Sequence, residues 1–349
     1  MAQRLYDANF EMAQAVMHVA GQSYTQAFSG SGPNALDRGI EALAYAVKAM
    51  RNVAPSGTYR RDFAGEAVAL DKTYALVPRG IGLVICCASF PTWNAYPALF
   101  ASLATGNPVV LKPHPIAVLP MALVARECRR VLAEHGFDPN LVTLAVDTRA
   151  EPVAQHLVDH PAVQIVDFTG SPRYGGHLER TVVGKLLFTE TAGVNTVVVE
   201  SVDDLDAVAR AVARASSLFS AQMCTSPQVI YVRPDLAEAF GAALVAQIDA
   251  IADDPAMAAG IMGAIQGEVS LKAVADVRAA VADLTDVRVL REAAPYTHPQ
   301  FPNARTLTPL VVAVEGSAPD LYAEEHFGPV LFVVSMAGAA AVQEATNLA

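Results

Sequence analysis

The sequence is poor in several features that mark particular classes of protein. Its 349 residues include only four cysteines and one tryptophan, and five lysines supply a small share of the 24 basic side chains. The spacing of the cysteines matches neither a disulfide framework nor a zinc site. The eight histidines form no His-Glu-x-x-His or comparable pair, so we expect no metal.

Positive charge and long apolar runs are scarce as well. Acidic residues outnumber basic ones by 35 to 24, and the resulting net charge of −11 argues against nucleic acid as a partner. No run of 18 apolar residues predicts a transmembrane helix. The first residues lack the basic and apolar regions of a signal peptide. We therefore expect a cytoplasmic protein that binds neither nucleic acid nor a membrane.

Apolar residues, in contrast, make up 53% of the chain, which is enough to bury a large core. The length predicts two domains. From Gly80 onwards, short runs rich in Val, Ile and Leu alternate with helical runs. This alternation predicts parallel βαβ units and a doubly wound, Rossmann-like α/β sheet. A second α/β series begins near Asn195.

These patterns predict four segments. The expected boundaries are 1–64 for an N-terminal helical segment, 65–79 for an extended strand region, and 80–194 and 195–349 for two α/β domains. After the helical run at 267–284 comes a Pro-rich stretch, and the last strand that the pattern predicts is 329–335.

Several polar residues follow predicted strands, where ligands bind in open α/β sheets. Glu190 ends the strand KLLFT, Lys112 ends VVLK, and Trp93-Asn94 follow GLVICC. Each has an ordinary alternative. Glu190 could be a solvated loop carboxylate, Lys112 a charged residue at a strand tip, Trp93 a core residue and Asn94 a helix N-cap. The Asn94 amide could instead donate to an oxyanion, and the Lys112 ammonium could contact a cofactor ribose or phosphate.

A turn of small residues follows the strand VQIVDF. Gly170 and Ser171 precede a helical run that contains Gly175. Such a turn at a helix N-terminus is an anion site, because its backbone amides point at the ligand. The pattern is not G-x-G-x-x-G, so on its own it does not establish a dinucleotide fingerprint.

Cys224 differs from the other three cysteines in its surroundings. Cys86 and Cys87 lie in an apolar strand and Cys128 lies on a helix, so these three are predicted to be inert packing residues. Cys224 lies between a helix and a strand, and its neighbours are small and polar. On this context alone, a nucleophile and a packing residue both remain open.

Taken in order, these segments resemble the aldehyde dehydrogenase superfamily from about Gly65 to the end of the chain. The matching pieces are PRGIGLVI, WN, SLATGNPVVLKP, FTGS with Gly175, ETAG, AQMCTS and EEHFGPV. The separation of Glu190 and Cys224 also resembles that of the family. Three longer stretches, including GEAVALDKTYALVPRG, are similar to the branch attached to aerobic phenylacetate degradation (PaaN-like).

The resemblance implies the aldehyde dehydrogenase fold and NAD(P)-dependent oxidation of an aldehyde to a carboxylic acid. Cys224 would be the nucleophile, Asn94 with the Cys224 amide the oxyanion hole, and Glu190 the base that activates water. The dinucleotide domain would be 80–194 and the catalytic domain 195–349. Residues implied in cofactor binding are Trp93, Lys112, His114, Pro115, Gly170, Ser171, Gly175, Glu325 and Phe327. The PaaN-like branch implies a ring-cleavage semialdehyde of phenylacetate catabolism as substrate.

Departures from the family pattern add further expectations. Pro115 stands where many members carry a glutamate that holds the adenosine ribose, so we expect NADP, with NAD as the alternative. Members usually extend further at both ends, so the chain resembles an incomplete fold, with an unpaired apolar edge at 329–335. Homo-oligomers are implied for the complete protein. Two alternatives stay open: a coenzyme A-acylating enzyme, and an inactive nucleotide-binding fragment.

Overall fold

The computed structural model describes residues 1–191 and 193–348, which form two compact units. The first unit comprises Met1–Met12 and Phe28–Glu190, and the second comprises Ala13–Ala27 and Thr191–Ala349. The sequence pattern placed all of 1–64 in one segment. It could not assign residues 13–27 to the second unit, because periodicity identifies the apolar face of a helix but not the surface that covers it.

The helices of the described residues begin and end as follows: α1 (Ala2–Asp7), α2 (Asn9–Ala20), α3 (Tyr24–Gly30), α4 (Pro33–Arg51), α5 (Pro91–Ala104), α6 (Val118–Glu134), α7 (Ala154–Asp159), α8 (Pro172–Thr181), α9 (Leu205–Ser217), α10 (Pro234–Ala252), α11 (Pro255–Ile261), α12 (Glu268–Ala280), α13 (Pro319–Tyr322) and α14 (Gly338–Leu348). Among them, none is both long and apolar enough to cross a membrane.

The strands are β1 (Ser56–Phe63), β2 (Glu66–Thr73), β3 (Ile81–Ile85), β4 (Val109–Lys112), β5 (Val142–Leu144), β6 (Val163–Thr169), β7 (Leu186–Glu190), β8 (Asn195–Val199), β9 (Pro227–Val232), β10 (Val287–Arg291), β11 (Leu310–Glu315) and β12 (Val330–Ser335). The first two form an antiparallel hairpin. Its turn is at Ala64 and Gly65, so the hairpin starts before the strand region expected at 65–79.

The first unit contains a sheet of five parallel strands in the order β5-β4-β3-β6-β7. The chain moves outward from β3 to β5 and then crosses to β6 and β7 on the other side, so the predicted doubly wound sheet is confirmed. Apolar side chains from β3, β6 and α8, among them Leu83, Phe168 and Leu178, pack together on one face. Ligands bind in such sheets where the strand order reverses, which here is between β3 and β6.

The second unit contains another five-stranded sheet, in the order β10-β11-β12-β9-β8. Only β10 is antiparallel to its neighbour. Side chains of α9 and α10 pack on one face of the sheet, and side chains of α12 and α14 pack on the other. A second α/β unit was predicted, and it is present.

The expectation of an unpaired apolar edge at 329–335 is wrong. Strand β12 pairs with β11 on one side and with β9 on the other, and Leu331 and Phe332 are fully buried. The error has a simple origin, since the sequence pattern missed β10 and β11 on either side of the Pro-rich stretch. With β11 in place, β12 is an interior strand.

Candidate active site

Two of the predicted catalytic residues meet at the carboxyl ends of the strands in the first unit. Glu190 is the last residue of β7, and Asn94 lies in the first turn of α5, which begins one loop after β3. The Asn94 amide donates from Nδ2 to Oε2 of Glu190 over 2.9 Å. Phe90, not Asn94, occupies the N-cap position of α5, so the N-cap interpretation of Asn94 is wrong.

The other end of the Asn94 amide has a partner too. The Cys87 thiol lies 3.4 Å from Oδ1 of Asn94 and donates to it. The hydroxyl of Ser89 in turn lies 3.9 Å from the Cys87 sulfur and donates to it. Cys87, Asn94 and Glu190 therefore form one contiguous polar chain beside the point where the strand order reverses.

Cys224 belongs to the second unit, in the loop between α9 and β9, where its side chain is partly buried. Near its start this loop has three consecutive residues with left-handed backbone, Phe219, Ser220 and Ala221, whose φ angles are 50 to 53°. Such angles are costly for residues other than glycine and persist where the surroundings hold them. The backbone carbonyl of Cys224 accepts a hydrogen bond from the Asn195 amide.

Gln222 anchors this loop from inside the core. Its side chain is fully buried; Nε2 donates to the carbonyls of Phe219 and Ala264 at 3.0 Å each, and Oε1 accepts from the Gln266 amide at 2.8 Å. The hydroxyl of Ser220 donates to the Met262 carbonyl over 3.1 Å. The conformation just before Cys224 is thus fixed by buried hydrogen bonds.

Glu325 and Phe327 precede β12 in the second unit, and both are partly buried. Burial raises the pKa of the Glu325 carboxyl to about 7. Glu325 lines a small cavity together with residues that lie just before β8, before and at the start of β9, and around the start of β12: Gly193, Ala221, Met223, Ser226, Pro227, Gln228, His326, Gly328 and Val330. The segment that carries Cys224 and the segment that carries Glu325 therefore meet at one cavity.

Lys112 ends β4 in the first unit, at the strand tip where the sequence placed it. Its side chain is buried, and Nζ lies 2.7 Å from Oδ1 of Asp147 and donates to the Pro113 carbonyl over 3.1 Å. The other oxygen of Asp147 accepts from the backbone amide of Val153 at 3.1 Å. The lysine is therefore half of a buried ion pair, and its charge is compensated within the protein.

His114 and Pro115 lie in the turn after Lys112, and both are partly buried. Burial lowers the pKa of the His114 imidazole, and the nearby charges of Arg149 and Lys112 lower it further. Its Nδ1 accepts from the Ile116 amide at 3.3 Å, which the neutral ring can do. His114 therefore adds no positive charge to this edge at neutral pH.

Ser171 is the N-cap residue of α8, next to Gly170 at the end of β6. A Cβ atom on Gly170 would lie 2.7 Å from the Phe168 ring, so a larger residue there would require the ring to move. Gly175 is buried on α8, and Trp93 is partly buried in the first turn of α5. Ser171 and the first turn of α8 are exposed at the carboxyl edge of the sheet, as an anion-binding helix N-terminus requires.

Comparison with known proteins decides the family. The model of the aldehyde dehydrogenase family matches residues 1–349. The chain belongs to this family. Its structure superposes with a TM-score of 0.91 on a crystal structure titled NAD-dependent aldehyde dehydrogenase from Burkholderia multivorans, at 40% identity, over 98% of this chain and 62% of that one.

Curated relatives in the aldehyde dehydrogenase family match at lower identity. A 3,6-anhydro-alpha-L-galactose dehydrogenase from Streptomyces coelicolor is 30% identical over 76% of this chain and 54% of its own length. A vanillin dehydrogenase from Pseudomonas fluorescens is 29% identical over 77% of this chain and 55% of its own length. The chain thus spans about half the length of the curated relatives that it matches.

Within this aldehyde dehydrogenase chain, sequence reasoning missed three polar residues near the predicted site. Cys87 was taken as a strand residue, but β3 ends at Ile85. Asp147 carried no signal, because the loop after β5 matches no motif. Asp167 lies inside β6, where burial, and then the Glu190 charge, raise the pKa of its carboxyl to about 7.

Proposed function

We propose that this protein, as part of a complete aldehyde dehydrogenase, oxidises an aldehyde to a carboxylic acid with a nicotinamide dinucleotide. The observation that carries the proposal is the pairing of Asn94 with Glu190 at the carboxyl edge of a doubly wound sheet, in a chain of this family. Residues 80–194 would bind the dinucleotide and residues 195–349 would hold the nucleophile. A cytoplasmic location, where thiols stay reduced, belongs to the same proposal.

The proposed chemistry assigns one role to each residue. The Cys224 thiolate attacks the aldehyde carbon, and the oxyanion that forms is stabilised by an N–H of Asn94 and by the Cys224 backbone amide. The Asn94 amide nitrogen carries two N–H groups, so one can contact Glu190 and the other the oxyanion. Glu190 then accepts a proton from the water that hydrolyses the thioester on Cys224.

The residues at the edge of the first sheet fit a dinucleotide. The N-terminus of α8, with Gly170 and Ser171, suits a pyrophosphate. The buried Lys112–Asp147 pair fixes the end of β4, on the other side of β3. Trp93, His114, Pro115 and Gly175 in the first unit, with Glu325 and Phe327 in the second, complete the proposed set. When bound, the dinucleotide supplies the hydride acceptor for the oxidation.

The choice between NADP and NAD depends on few residues. Pro115 offers no carboxylate to a ribose diol and does not repel a 2′-phosphate, which favours NADP. Lys112 and His114 lie nearby but add little attraction for a 2′-phosphate, since Lys112 is paired with Asp147 and burial lowers the pKa of His114. The name of the Burkholderia protein favours NAD. We propose NADP, and a higher kcat/KM with NAD would overturn it.

The substrate follows from the finer resemblance alone, so we propose a ring-cleavage semialdehyde of phenylacetate catabolism. The test is reduction of both cofactors by the full chain, measured by nicotinamide absorbance with a panel of aldehydes. Cys224→Ser should abolish the signal, while the matched control Cys128→Ser, on α6, should keep it. Activity that survives Cys224→Ser would contradict the assigned nucleophile. Cofactor binding without turnover in the unaltered chain would favour the nucleotide-binding fragment.

A further inference from the structure

We propose that Cys87 is a positioning residue that fixes the orientation of the Asn94 amide, an inference that rests on the proposed oxyanion role of Asn94. An asparagine amide has a donor end and an acceptor end, and only the donor end can stabilise an oxyanion. If the amide plane rotated by half a turn, Oδ1 would face the Glu190 carboxylate. The partly negative Oδ1 would then face the negative Glu190 carboxylate and the negative oxyanion, and both contacts would be repulsive.

The contacts of Asn94 select one orientation from both ends. Glu190 can only accept when ionised, so it favours Nδ2 on its side, 2.9 Å away. The Cys87 thiol approaches the opposite end, 3.4 Å from Oδ1, where a donor is needed. A protonated thiol supplies that donor. The Ser89 hydroxyl also donates to the Cys87 sulfur.

The location of Cys87 supports a role beyond packing. The side chain lies after the end of β3, is partly buried, and sits where the strand order reverses. Its neighbour Cys86 is buried, and the Cys86 thiol donates instead to the carbonyl of Val84 in β3, 3.6 Å away. Burial raises the pKa of the Cys87 thiol, and the Glu190 charge adds to that rise, so the thiol stays protonated and able to donate.

The closing experiment compares three substitutions in the full chain by stopped-flow measurement of the first turnover. Cys87→Ala removes the donor and should slow the burst of reduced cofactor about three- to tenfold, the effect of one lost neutral hydrogen bond. Cys87→Ser keeps a donor and should restore the burst to within about twofold. Cys86→Ala, the matched control, removes a thiol one residue away and should leave the burst rate unchanged.

A double variant distinguishes positioning from general packing. If Cys87 acts through Asn94, then Cys87→Ala should add nothing to the loss caused by Asn94→Ala, so the two effects should not multiply. If the two losses in burst rate multiply in the double variant, the proposal is overturned. It is also overturned if Cys87→Ala gives the same burst rate as the unaltered chain. If Cys87→Ala does not fold, Cys87→Val is tested in its place, because valine fills the volume of the thiol but has no hydrogen-bond donor.

A second readout needs no turnover. In protein labelled with 15N-asparagine, the side-chain amide signal of Asn94, assigned by its loss in Asn94→Asp, should shift in Cys87→Ala and stay in place in Cys86→Ala. If the unaltered chain reduces neither cofactor with any aldehyde, the proposed function is contradicted, and the amide signal then decides the role of Cys87 alone. An Asn94 signal that does not move in Cys87→Ala would overturn the positioning role.

Discussion

Among single residues, Asn94 and Glu190 are in direct contact yet are proposed to serve different chemical steps. Acylation needs the Cys224 thiolate and the oxyanion donors, whereas hydrolysis needs the base. Glu190→Gln keeps the size and an acceptor for Asn94 but removes the base. It should therefore slow deacylation roughly 10²–10⁴-fold while a burst of reduced cofactor, near one per active site, survives. Asn94→Ala should lose the burst rate itself.

Stopped-flow absorbance of the nicotinamide separates these two outcomes in the complete enzyme. Mass spectrometry of the Glu190→Gln protein should also find the acyl group retained on Cys224. If Glu190→Gln loses the burst as fully as Asn94→Ala does, Glu190 is needed before or during acylation. It would then deprotonate Cys224, and the proposed division of labour would be wrong.

Asp167 gives the first unit a pH-dependent stability. Its pKa is raised from 3.8 to about 7, chiefly by burial and then by the Glu190 charge. The unfolded chain releases this proton at a lower pH than the folded chain does, so the stabilisation is full below about pH 4. It is lost as the pH rises through about 7. Asp167→Asn should therefore raise the melting temperature at pH 8 more than at pH 5.

Calorimetry at the two pH values tests the assignment of Asp167. The change at pH 8 is at most about 4 kcal/mol, since each pKa unit corresponds to about 1.36 kcal/mol. Glu325 also has a raised pKa near 7, so the variant should keep part of the pH dependence. A melting temperature that changes equally at both pH values would show that Asp167 does not titrate in this window.

The residues of the site differ in how far the sequence could predict them. Glu190 and Asn94 lie at or after the ends of strands, so the rule that ligands bind at the carboxyl ends of strands identified their region. The hydrogen bond between the two side chains could be seen only in the structure. Cys87 was misplaced because an apolar run does not show where its strand ends. The partner of Lys112 could not be predicted either, since Asp147 lies in a different loop and only the pairing of β4 with β5 brings it near.

Among the structural elements, the loop before Cys224 depends most on a single side chain. Gln222 is fully buried and bridges the left-handed turn at 219–221 to the backbone of Ala264 and Gln266. Gln222→Ala removes these three buried hydrogen bonds, so we expect it to lower the free energy of unfolding by about 2–4 kcal/mol. Gln343→Ala, exposed on α14, is the matched control and should change it by less than about 0.5 kcal/mol.

Urea unfolding followed by circular dichroism measures both Gln222→Ala and Gln343→Ala. If Gln222→Ala unfolds at the same urea concentration as the unaltered chain, the turn is held by packing alone. A loss that is confined to activity, with unchanged unfolding, would instead point to a role of Gln222 close to the chemistry.

The elements of the second unit show where prediction from the sequence ends. The strands β8, β9 and β12 were predicted from their apolar runs. The strands β10 and β11 were not, because β10 carries two arginines among its five residues, and β11 follows a Pro-rich stretch that is typical of a loop. This omission produced the wrong expectation that β12 is an edge. An error in one element thus changed the predicted surface of the unit.

For the whole molecule, the β1–β2 hairpin is the feature that most needs a partner. Both of its strands are exposed along their full length. The register pairs Tyr59 with Leu70 and Arg61 with Val68. The apolar side chains of Tyr59, Val68 and Leu70 therefore lie on the same face of the hairpin, together with Arg61. A two-stranded hairpin is only marginally stable by itself in water. We therefore expect this face to be covered in a homo-oligomer, as the family resemblance implies.

The two faces of β2 provide a matched test of this expectation. Val68→Lys with Leu70→Glu places charges on the apolar face, whereas Ala67→Lys with Ala69→Glu places the same charges at alternate positions on the other face. Light scattering of the unaltered chain should give a mass above 36.7 kDa. The first pair should reduce the mass to that of one chain, because buried charges without partners oppose association, and the second pair should leave it unchanged. A single-chain mass for the unaltered protein, or equal effects of the two pairs, would contradict association through this face.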